Sequence, residues 1–496
     1  SPAQIRALGK SMGLPDPQRI SADQWRRSAL TIIRRNWHLL PYEQLLTLLD
    51  WTPEKLAFTL REDDFLYIKL GSHKPRCPEV RWKAPDTATR QRAAQIAEVI
   101  RGVLPDKREP LFTFVRELEK PPREKRKQAP NPLSPRFCYS YFALYGDPLL
   151  EKHADPYPDG YLARLAASGV DGVWLQAVLS QLAPNPWNPT ASAQATERLA
   201  GLRALVKRAK RHGIGVWLYS NEPRALPLSA FASHPDSKGV TEGDHATLCT
   251  ARPEVRAYLT DATAAVCQAV PDLAGFFTIT YSENLTHCWS HGRGADCPRC
   301  ATRGAAAAIL DVNGAIHEGI AKAGGRQRLI AWDWAWPDSV AAPVIEKLPT
   351  ETLFMSVSEW DLPIRRGGVS ATVGEYSLSA IGPGPRSTRH WALAKARGLK
   401  TIAKVQAANS WELSAVPYVP AVENSATHAA RLREARVDGL MLGWTLGGYP
   451  SPNLEAVAEV GQGATVDQAL QRVALRRYGA SEVPNVVTAW KAVSAA

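Results

Sequence analysis

The chain has 496 residues, of which 45% are hydrophobic and 22% charged, a balance typical of a soluble globular protein with room for more than one domain. No apolar run approaches the ~18 residues that cross a bilayer, so an integral membrane protein is not expected. Of the net charge of +12, +10 belongs to residues 1–136, so the larger part of the chain need not bind a polyanion.

Residues 1–118 are predicted to form a mostly helical N-terminal domain. One helix is expected after Ser21, whose hydroxyl can cap it, and two short helices around Trp51, with Thr52 as a cap and Pro53 in the first turn. The stretch "FLYIKLG" is predicted to be a short strand. The helix pair resembles a helix-turn-helix DNA reader, but such pairs are common and a basic face is usually just solvated. Nucleic acid is therefore not the expected partner.

A basic, proline-rich segment divides the chain. "EKPPREKRKQAPNPLSPR", residues 119–136, combines six Lys or Arg with five prolines. Such a segment cannot bury apolar surface, so it is predicted to be a linker between two domains.

From residue 137 to 460 the pattern changes to apolar runs that alternate with helical segments. Gly at a helix end followed by a continuous apolar run is the helix-to-strand junction of a parallel sheet. Eight such runs predict a (β/α)8 TIM barrel as the catalytic domain. An open doubly wound sheet is the alternative, but no Gly-rich phosphate loop follows the first run. The runs begin near residues 137, 170, 213, 273, 329, 353, 399 and 437.

Residues 461–496 are predicted to be a C-terminal helical segment. The pattern "VVTAWKAVSAA" is still helical at Ala496, so we expect that a native chain can continue beyond it. At the other end the chain starts with Ser1 rather than Met, which is compatible with a removed leader. The compartment is left open: the cytoplasm is favoured, with the periplasm or secretion as alternatives.

Carboxylates, amides and indoles follow the predicted strands, where barrels of this kind carry their active sites. Carboxyl groups supply the acid, base or nucleophile of glycoside hydrolysis, and flat aromatic rings pack against pyranose rings. The pattern predicts a carbohydrate site, although a lone strand-end carboxylate is more often a helix cap and a Trp more often packing. The candidates are Asn221 and Glu222 after strand 3, Ser282, Glu283 and Asn284 after strand 4, Asp333, Trp334 and Trp336 after strand 5, Glu359 after strand 6, Asn409, Trp411 and Glu412 after strand 7, and Trp444 after strand 8.

The motif "GFFTITYSEN", which ends at Asn284, is followed by a Trp-rich later half. This combination resembles the β-N-acetylhexosaminidases of glycoside hydrolase families 20, 84 and 123, most of all the exo-β-N-acetylgalactosaminidases related to family 123. The resemblance covers about residues 137–460 and rests on one short motif and a pattern of aromatics. It implies that Glu283 is the general acid/base. It also implies that the substrate's own 2-acetamido oxygen attacks the anomeric carbon, with no cofactor required.

One position departs from those families, which have Asp before the catalytic Glu where this chain has Ser282. A hydroxyl can accept the acetamido N–H but cannot balance the oxazolinium charge. We expect Asn284, or a carboxylate from another strand such as Asp333 or Glu359, to compensate.

A classical retaining β-glycosidase is the alternative mechanism. The sequence "NEP" at residues 221–223 is similar to the acid/base motif of the large retaining clan, with Glu222 or Glu283 as acid/base and Glu412 as nucleophile. That clan carries the motif after strand 4, whereas it follows strand 3 in the predicted count.

Seven cysteines spread over the chain do not form the pattern of a disulfide framework. Three of them, Cys288, Cys297 and Cys300, lie in the loop after Glu283. A Cys-x2-Cys with further ligands suits a tetrahedral structural zinc, which would fix a loop that has no core of its own. Incidental thiols are the alternative. The predicted fourth ligand is His287, with His291 and Cys249 as alternatives.

These patterns predict a retaining exo-β-N-acetylhexosaminidase that prefers β-N-acetylgalactosaminides and acts on a glycan or amino-sugar glycoside. Ser282 and Asn284 would orient the acetamido group, and Asn409 and Glu412 would bind hydroxyls. The walls are predicted to be Trp334, Trp336, Trp411 and Trp444. The alternative from another class is a non-catalytic carbohydrate- or nucleic-acid-binding protein that uses the basic front, and its DNA binding would depend strongly on salt.

Overall fold

The computed structural model describes residues 1–16, 21–63, 66–71, 73–103, 113–122, 130–142, 146–151, 154–281, 284–408, 417–445 and 447–495, without the side chains of residues 23, 24, 27 and 113–115. Outside these ranges lie residues 123–129 of the predicted linker and five predicted site residues, Ser282, Glu283, Asn409, Trp411 and Glu412. The chain divides into two compact units, Ser1–Thr113 and Phe114–Ala496.

The first unit consists of helices around a small apolar core. Thr52 and Pro53 begin one of them as predicted: the Thr52 hydroxyl accepts the Lys55 N–H at 3.3 Å, and Pro53 is the first helical residue. The helices are α1 (Pro2–Ser11), α2 (Ala22–Arg27), α3 (Ala29–Asn36), α4 (Tyr42–Leu49), α5 (Pro53–Glu62), α6 (Leu66–Leu70) and α7 (Thr87–Val103). The buried core residues are Ile33, Trp37, Leu45, Leu49, Leu56, Leu66 and Leu70.

The predicted strand in "FLYIKLG" is wrong, because this stretch forms α6. Apolar residues at positions 66, 68 and 70 suggest a strand with one buried face. In the structure Leu66 and Leu70 are buried one helical turn apart, while Ile68 is 72% exposed. The spacing of the buried positions is therefore four, which is the period of a helix.

The second unit alternates strands and helices along the chain. Its strands are β1 (Arg136–Cys138), β2 (Gly172–Ala177), β3 (Gly215–Ser220), β4 (Leu226–Pro227), β5 (Lys238–Glu242), β6 (His245–Leu248), β7 (Gly275–Ile279), β8 (Arg328–Trp332), β9 (Leu353–Val357), β10 (Pro363–Arg366), β11 (Val369–Thr372), β12 (Thr401–Lys404) and β13 (Gly439–Met441). Its helices follow α8 (Thr113–Glu119), which starts at the unit boundary; they are α9 (Asp159–Ala167), α10 (Leu179–Leu182), α11 (Ala195–Lys210), α12 (Pro253–Ala269), α13 (Pro298–Ala301), α14 (Gly304–Lys322), α15 (Asp338–Lys347), α16 (Pro385–Ala396), α17 (Val422–Glu434), α18 (Pro452–Gly461), α19 (Val466–Tyr478) and α20 (Val483–Ala495). Within the described ranges, no helix combines the length and the apolar character needed to cross a membrane.

Eight of the strands close into a parallel barrel, in the order β1-β2-β3-β7-β8-β9-β12-β13 and back to β1. Each lies within or beside one of the eight predicted runs, so the predicted TIM barrel is confirmed and the open sheet is excluded. Two insertions follow barrel strands: a three-stranded antiparallel sheet of β4, β6 and β5 after β3, and the β10–β11 hairpin after β9.

The barrel interior is filled by aromatic rings. Side chains alternate along each strand, so in β3 Trp217 and Tyr219 lie inside, while Val216 and Leu218 pack in the layer between the sheet and the helices. Tyr219 stacks on Phe277 at a centroid distance of 5.2 Å. The other large interior residues are Phe137, Trp174, Trp332, Met355, Ile402 and Met441. The interior is therefore a packed core, and only its upper rim is open to a ligand.

Candidate active site

The alternation of side chains decides which strand-end residues face the barrel mouth. β3 ends at Ser220, so Asn221 continues the inward row of Trp217 and Tyr219, and Glu222 continues the outward row. The Asn221 side chain is buried and donates a hydrogen bond from Nδ2 to the Ile279 carbonyl at 2.9 Å. Ile279 is the last residue of β7, the fourth barrel strand. Asn221 therefore joins the ends of strands 3 and 4 at the mouth.

Glu222 lies on the outer side, where its carboxylate accepts hydrogen bonds from two backbone amides. Oε1 accepts from Leu179 N at 2.7 Å, the first residue of α10, and Oε2 accepts from Arg224 N at 3.1 Å. The side chain is 1% exposed, and burial raises the pKa of Glu222 to about 7, against the opposing effect of these amides. The contacts are those of a carboxyl group that caps a short helix.

Of the three predicted catalytic residues after strand 4, Ser282, Glu283 and Asn284, the structure describes Asn284. Its Oδ1 accepts a hydrogen bond from Arg224 Nη1 at 2.8 Å, and the next residue, Leu285, accepts the Ala225 N–H at 3.0 Å. The loops after strands 3 and 4 are thus bonded to each other at Asn284 and Leu285, the two residues that follow Glu283 in the chain; Glu283 itself lies outside the described residues.

Asp333 belongs to a buried polar network on the outer side of the sheet. Its Oδ2 accepts from Ser356 Oγ at 2.8 Å and Arg386 Nη1 at 2.9 Å, and lies 2.7 Å from His390 Nδ1. Arg386 also donates to the backbone carbonyls of Asp333 and Trp336. Asp333 therefore anchors the loop after strand 5 to α16 and does not point into the mouth. The sequence argument missed Arg386 and His390 because they lie on a helix more than 50 residues away.

Glu359 lies in the turn after β9 and is fully buried in the layer between the barrel and α17, in a pocket that it shares with Val405 and His428. His428 Nδ1 lies 3.5 Å from its Oε1, while His428 Nε2 is 2.7 Å from Ser358 Oγ. The 3.5 Å separation would suit an ion pair, but burial lowers the pKa of His428 to about 3, so the imidazole is neutral. The contact is therefore a polar one without a compensating charge on the histidine.

The three described candidate tryptophans occupy different places. Trp336 is 2% exposed, donates from Nε1 to Thr280 Oγ1 at 3.0 Å and packs against Phe354 in the layer beneath the helices. Trp334 is half-buried beside the interior core and donates its indole N–H to Glu375. Trp336 is therefore a packing residue, whereas Trp334 lies on the mouth side.

Trp444 forms the top of the aromatic core. Its ring centroid lies 4.9 Å from that of Trp174, 5.4 Å from Trp332 and 5.6 Å from Tyr219. The residue is half-buried, so one part of the indole packs downwards and the rest stays accessible. These rings form an aromatic floor, and the half-buried residues around it, Tyr139, Trp334, Trp360 and Tyr376, extend it at the mouth.

Lys404 is a polar residue of the interior that the sequence argument missed. It ends β12 on the same inward row as Ile402 and is fully buried. Its Nζ donates to Gln406 Oε1 at 2.6 Å and lies 3.2 Å from the centre of the Tyr376 ring. The signal for it was available: a lysine between Ala403 and Val405, in the middle of the apolar run "TIAKVQAA".

An open cavity of about 280 Å³ lies at the same rim, beside the ends of strands 1 and 2. Gln176, near the end of β2, is exposed there, and Arg198 forms a 2.7 Å ion pair with Asp147 on its wall. The cavity thus offers amide and charged groups next to the aromatic floor.

Four cysteines are brought together beside the loop after strand 4. Their sulfur atoms, from Cys249, Cys288, Cys297 and Cys300, all lie within 4.8 Å of one another and are buried. His287, the predicted fourth member, is outside this cluster, and its Nδ1 accepts the Trp289 N–H at 3.2 Å. His291 is also outside and lies 2.9 Å from Glu242. Cys249, which follows β6, takes the fourth position.

No family model matches the chain, and no curated protein matches it. A GH138 enzyme targeting the pectin rhamnogalacturonan II is 13% identical over 73% of this chain and 43% of its own, with a TM-score of 0.47. A family 89 glycoside hydrolase from Clostridium perfringens is 10% identical over 73% and 41%, with a TM-score of 0.46. A beta-N-acetylhexosaminidase from Bacteroides fragilis is 13% identical over 65% and 64%, with a TM-score of 0.38. The chain spans less than half the length of the first two, and likeness at these values carries no argument about what it acts on.

Proposed function

We propose that the chain is a retaining exo-β-N-acetylhexosaminidase that prefers β-N-acetylgalactosaminides. The observation that carries the proposal is the chain position of Glu283, four residues after the end of the fourth strand of a closed (β/α)8 barrel. Groups in this position of such barrels reach the active site. The aromatic floor under Trp444 supports the same reading, because an indole face can pack against the apolar face of a pyranose ring.

In the proposed reaction the substrate supplies its own nucleophile. Glu283, protonated, donates its proton to the glycosidic oxygen while the 2-acetamido oxygen bonds to the anomeric carbon, and the bond to the leaving group breaks. The product of this step is a cyclic oxazolinium ion. The Glu283 carboxylate then takes a proton from water as that water attacks the anomeric carbon, which reopens the ring with overall retention and restores the acid.

The neighbouring amides would orient the acetamido group. Arg224 donates a hydrogen bond to the side-chain amide oxygen of Asn284, and the Asn221 side chain bridges the ends of strands 3 and 4. The side chains of Asn284 and Asn221 are therefore fixed before substrate arrives. Ser282 is the remaining hydrogen-bond partner in this proposal. Asp333 is committed to Arg386 and His390, and Glu359 lies against His428 of α17, so Asn284 is better placed than either carboxylate to compensate for the missing aspartate.

The contacts of Glu222 weigh against the form of the classical retaining alternative in which Glu222 is the acid/base. An acid/base must reach the glycosidic oxygen, whereas this carboxylate is buried on the outer side and accepts two backbone amides. It also follows the third barrel strand, and the retaining clan carries its acid/base after the fourth.

Paired chromogenic substrates test the proposal. We expect release of nitrophenol from the β-N-acetylgalactosaminide, slower release from the β-N-acetylglucosaminide, and negligible release from the β-galactoside, which lacks the acetamido nucleophile. A thiazoline mimic of the oxazolinium ion should inhibit far more tightly than the free sugar, because it resembles the charged state that the site stabilises. Turnover of the plain galactoside, together with a stoichiometric protein adduct from a 2-fluoro sugar, would establish a protein nucleophile instead.

A further inference from the structure

The cysteine cluster is built from three separate parts of the chain. Cys249 follows β6 of the small antiparallel sheet, Cys288 lies in the loop after β7, and Cys297 and Cys300 flank the start of α13. All four are at most 3% exposed, and they form an apolar cluster with Val240 and Trp289, apart from the barrel core. Four buried thiols therefore converge where the surrounding loops have little other core.

Two of the distances between the sulfur atoms match the edge of a metal tetrahedron and not a disulfide. Zinc binds thiolate at about 2.3 Å, and a tetrahedron of that radius has edges of about 3.8 Å. Cys249 Sγ lies 3.8 Å from Cys297 Sγ and 3.6 Å from Cys300 Sγ. A disulfide needs a separation of about 2.05 Å. We infer that the chain binds one zinc ion through Cys249, Cys288, Cys297 and Cys300.

Groups around the sulfur atoms suit a bound thiolate cluster. Arg299 Nε donates to Cys249 Sγ at 3.4 Å, and Thr247 Oγ1 lies 3.5 Å from Cys288 Sγ. Four thiolates on a divalent ion carry a net charge of −2, which the Arg299 guanidinium partly offsets. Four protein ligands close the coordination sphere, so the ion is structural and has no position for a substrate.

The ion would connect the sheet inserted after strand 3 with the loop after strand 4. The same two segments are also joined by the His291–Glu242 contact at 2.9 Å. In the chain, the strand-4 loop carries Glu283 between the end of β7 at Ile279 and Cys288. The zinc is therefore a clamp that holds the loop of the proposed acid/base against the sheet inserted after strand 3. This role of the zinc rests on the proposed function, whereas the metal site itself does not.

Metal analysis of the whole chain tests the site. Protein purified in zinc-supplemented, chelator-free buffer and then desalted should contain about one zinc per chain by elemental mass spectrometry. Cys249→Ser should lose that zinc, while Cys267→Ser, which removes a buried thiol on α12 outside the cluster, should keep it. Wild-type protein without zinc, protein with iron in its place, or full zinc in Cys249→Ser would overturn the assignment.

Two measurements on the wild-type chain remain informative if Cys249→Ser does not fold. A mercurial titration should release the zinc in proportion to four thiols, and cobalt substitution should give the thiolate charge-transfer bands of a tetrahedral site. Zinc without glycosidase activity would leave the metal site standing and reject the proposed function. Activity that is unchanged when the metal is removed would reject the clamp and leave the proposed function standing.

Discussion

Replacing Glu222 by glutamine tests whether this carboxyl group is a structural cap or a catalytic acid. The change keeps the size of the side chain and removes its charge and its titration. Glu283→Gln is the matched change at the next strand end. If Glu222 caps α10 as its two amide contacts indicate, Glu222→Gln alters the pH dependence of stability and leaves turnover within a few-fold of wild type.

The magnitude follows from the raised pKa. The ordinary pKa of a glutamate is 4.5 and burial raises that of Glu222 to about 7. The folded state then binds the proton more tightly than the unfolded state. The proton bound by Glu222 therefore stabilises the folded state; this contribution is fully present below pH 4.5 and is lost as the pH rises through 7. A pKa shift of this size corresponds to about 3 kcal/mol in the free energy of unfolding. For a unit as large as Phe114–Ala496, that is about 4 °C in the melting temperature.

Thermal melts between pH 5 and 8.5 would measure this difference. The wild-type melting temperature minus that of Glu222→Gln should fall steadily over this range, whereas Glu318→Gln, at an exposed position of α14, should run parallel to wild type. Parallel curves for wild type and Glu222→Gln would refute the burial argument. A loss of kcat of about 10²-fold or more in Glu222→Gln would refute the cap and support the retaining-clan mechanism.

Three further outcomes are expected. Glu283→Gln should lower kcat about 10³-fold with an unchanged melting temperature, because the amide cannot donate a proton; retained kcat would contradict the acid/base role. Trp444→Ala should lower kcat/KM at least about 10-fold, because it removes the accessible ring of the aromatic floor. Trp336→Phe should leave kcat/KM unchanged and reduce the free energy of unfolding by about 1 kcal/mol, because the hydrogen bond to Thr280 is lost. Equal losses of kcat/KM in the two variants would contradict the role of the aromatic floor. Asp333→Asn should cost about 3–5 kcal/mol by leaving Arg386 without its buried partner, and a denaturant midpoint near that of wild type would contradict this.

The barrel could be predicted from the sequence because its strands are buried on both faces. Each strand therefore appears as a continuous apolar run, several of them after a glycine-containing helix end, and eight such runs allow few other folds. The strand-end positions of Asn221, Asp333 and Trp444 followed from the same runs. The prediction failed at "FLYIKLG", because the alternation of apolar residues there is also typical of a strand. Only the tertiary contacts with the helical core show that Leu66 and Leu70 are the buried positions.

The direction of each strand-end side chain could not be predicted. A shift of one residue in the strand end turns a side chain from the mouth to the helix layer, and this separates Asn221 from Glu222. Partners from distant segments were equally hidden: Arg386 lies on α16, and Cys249 precedes Cys288 by one helix and one barrel strand. Such contacts depend on packing between elements, which local sequence patterns do not encode.

The indoles at the top of the barrel have an optical consequence. Trp444 lies within 5.4 Å of both Trp174 and Trp332, centroid to centroid, so these rings are close enough to exchange excitation energy. Light absorbed anywhere in this group can be emitted from Trp444, the one ring of the three that is accessible from the mouth. Under the proposed function, a sugar that binds to Trp444 would change the emission of the whole group, and the fluorescence of these tryptophans would then report whether the site is occupied.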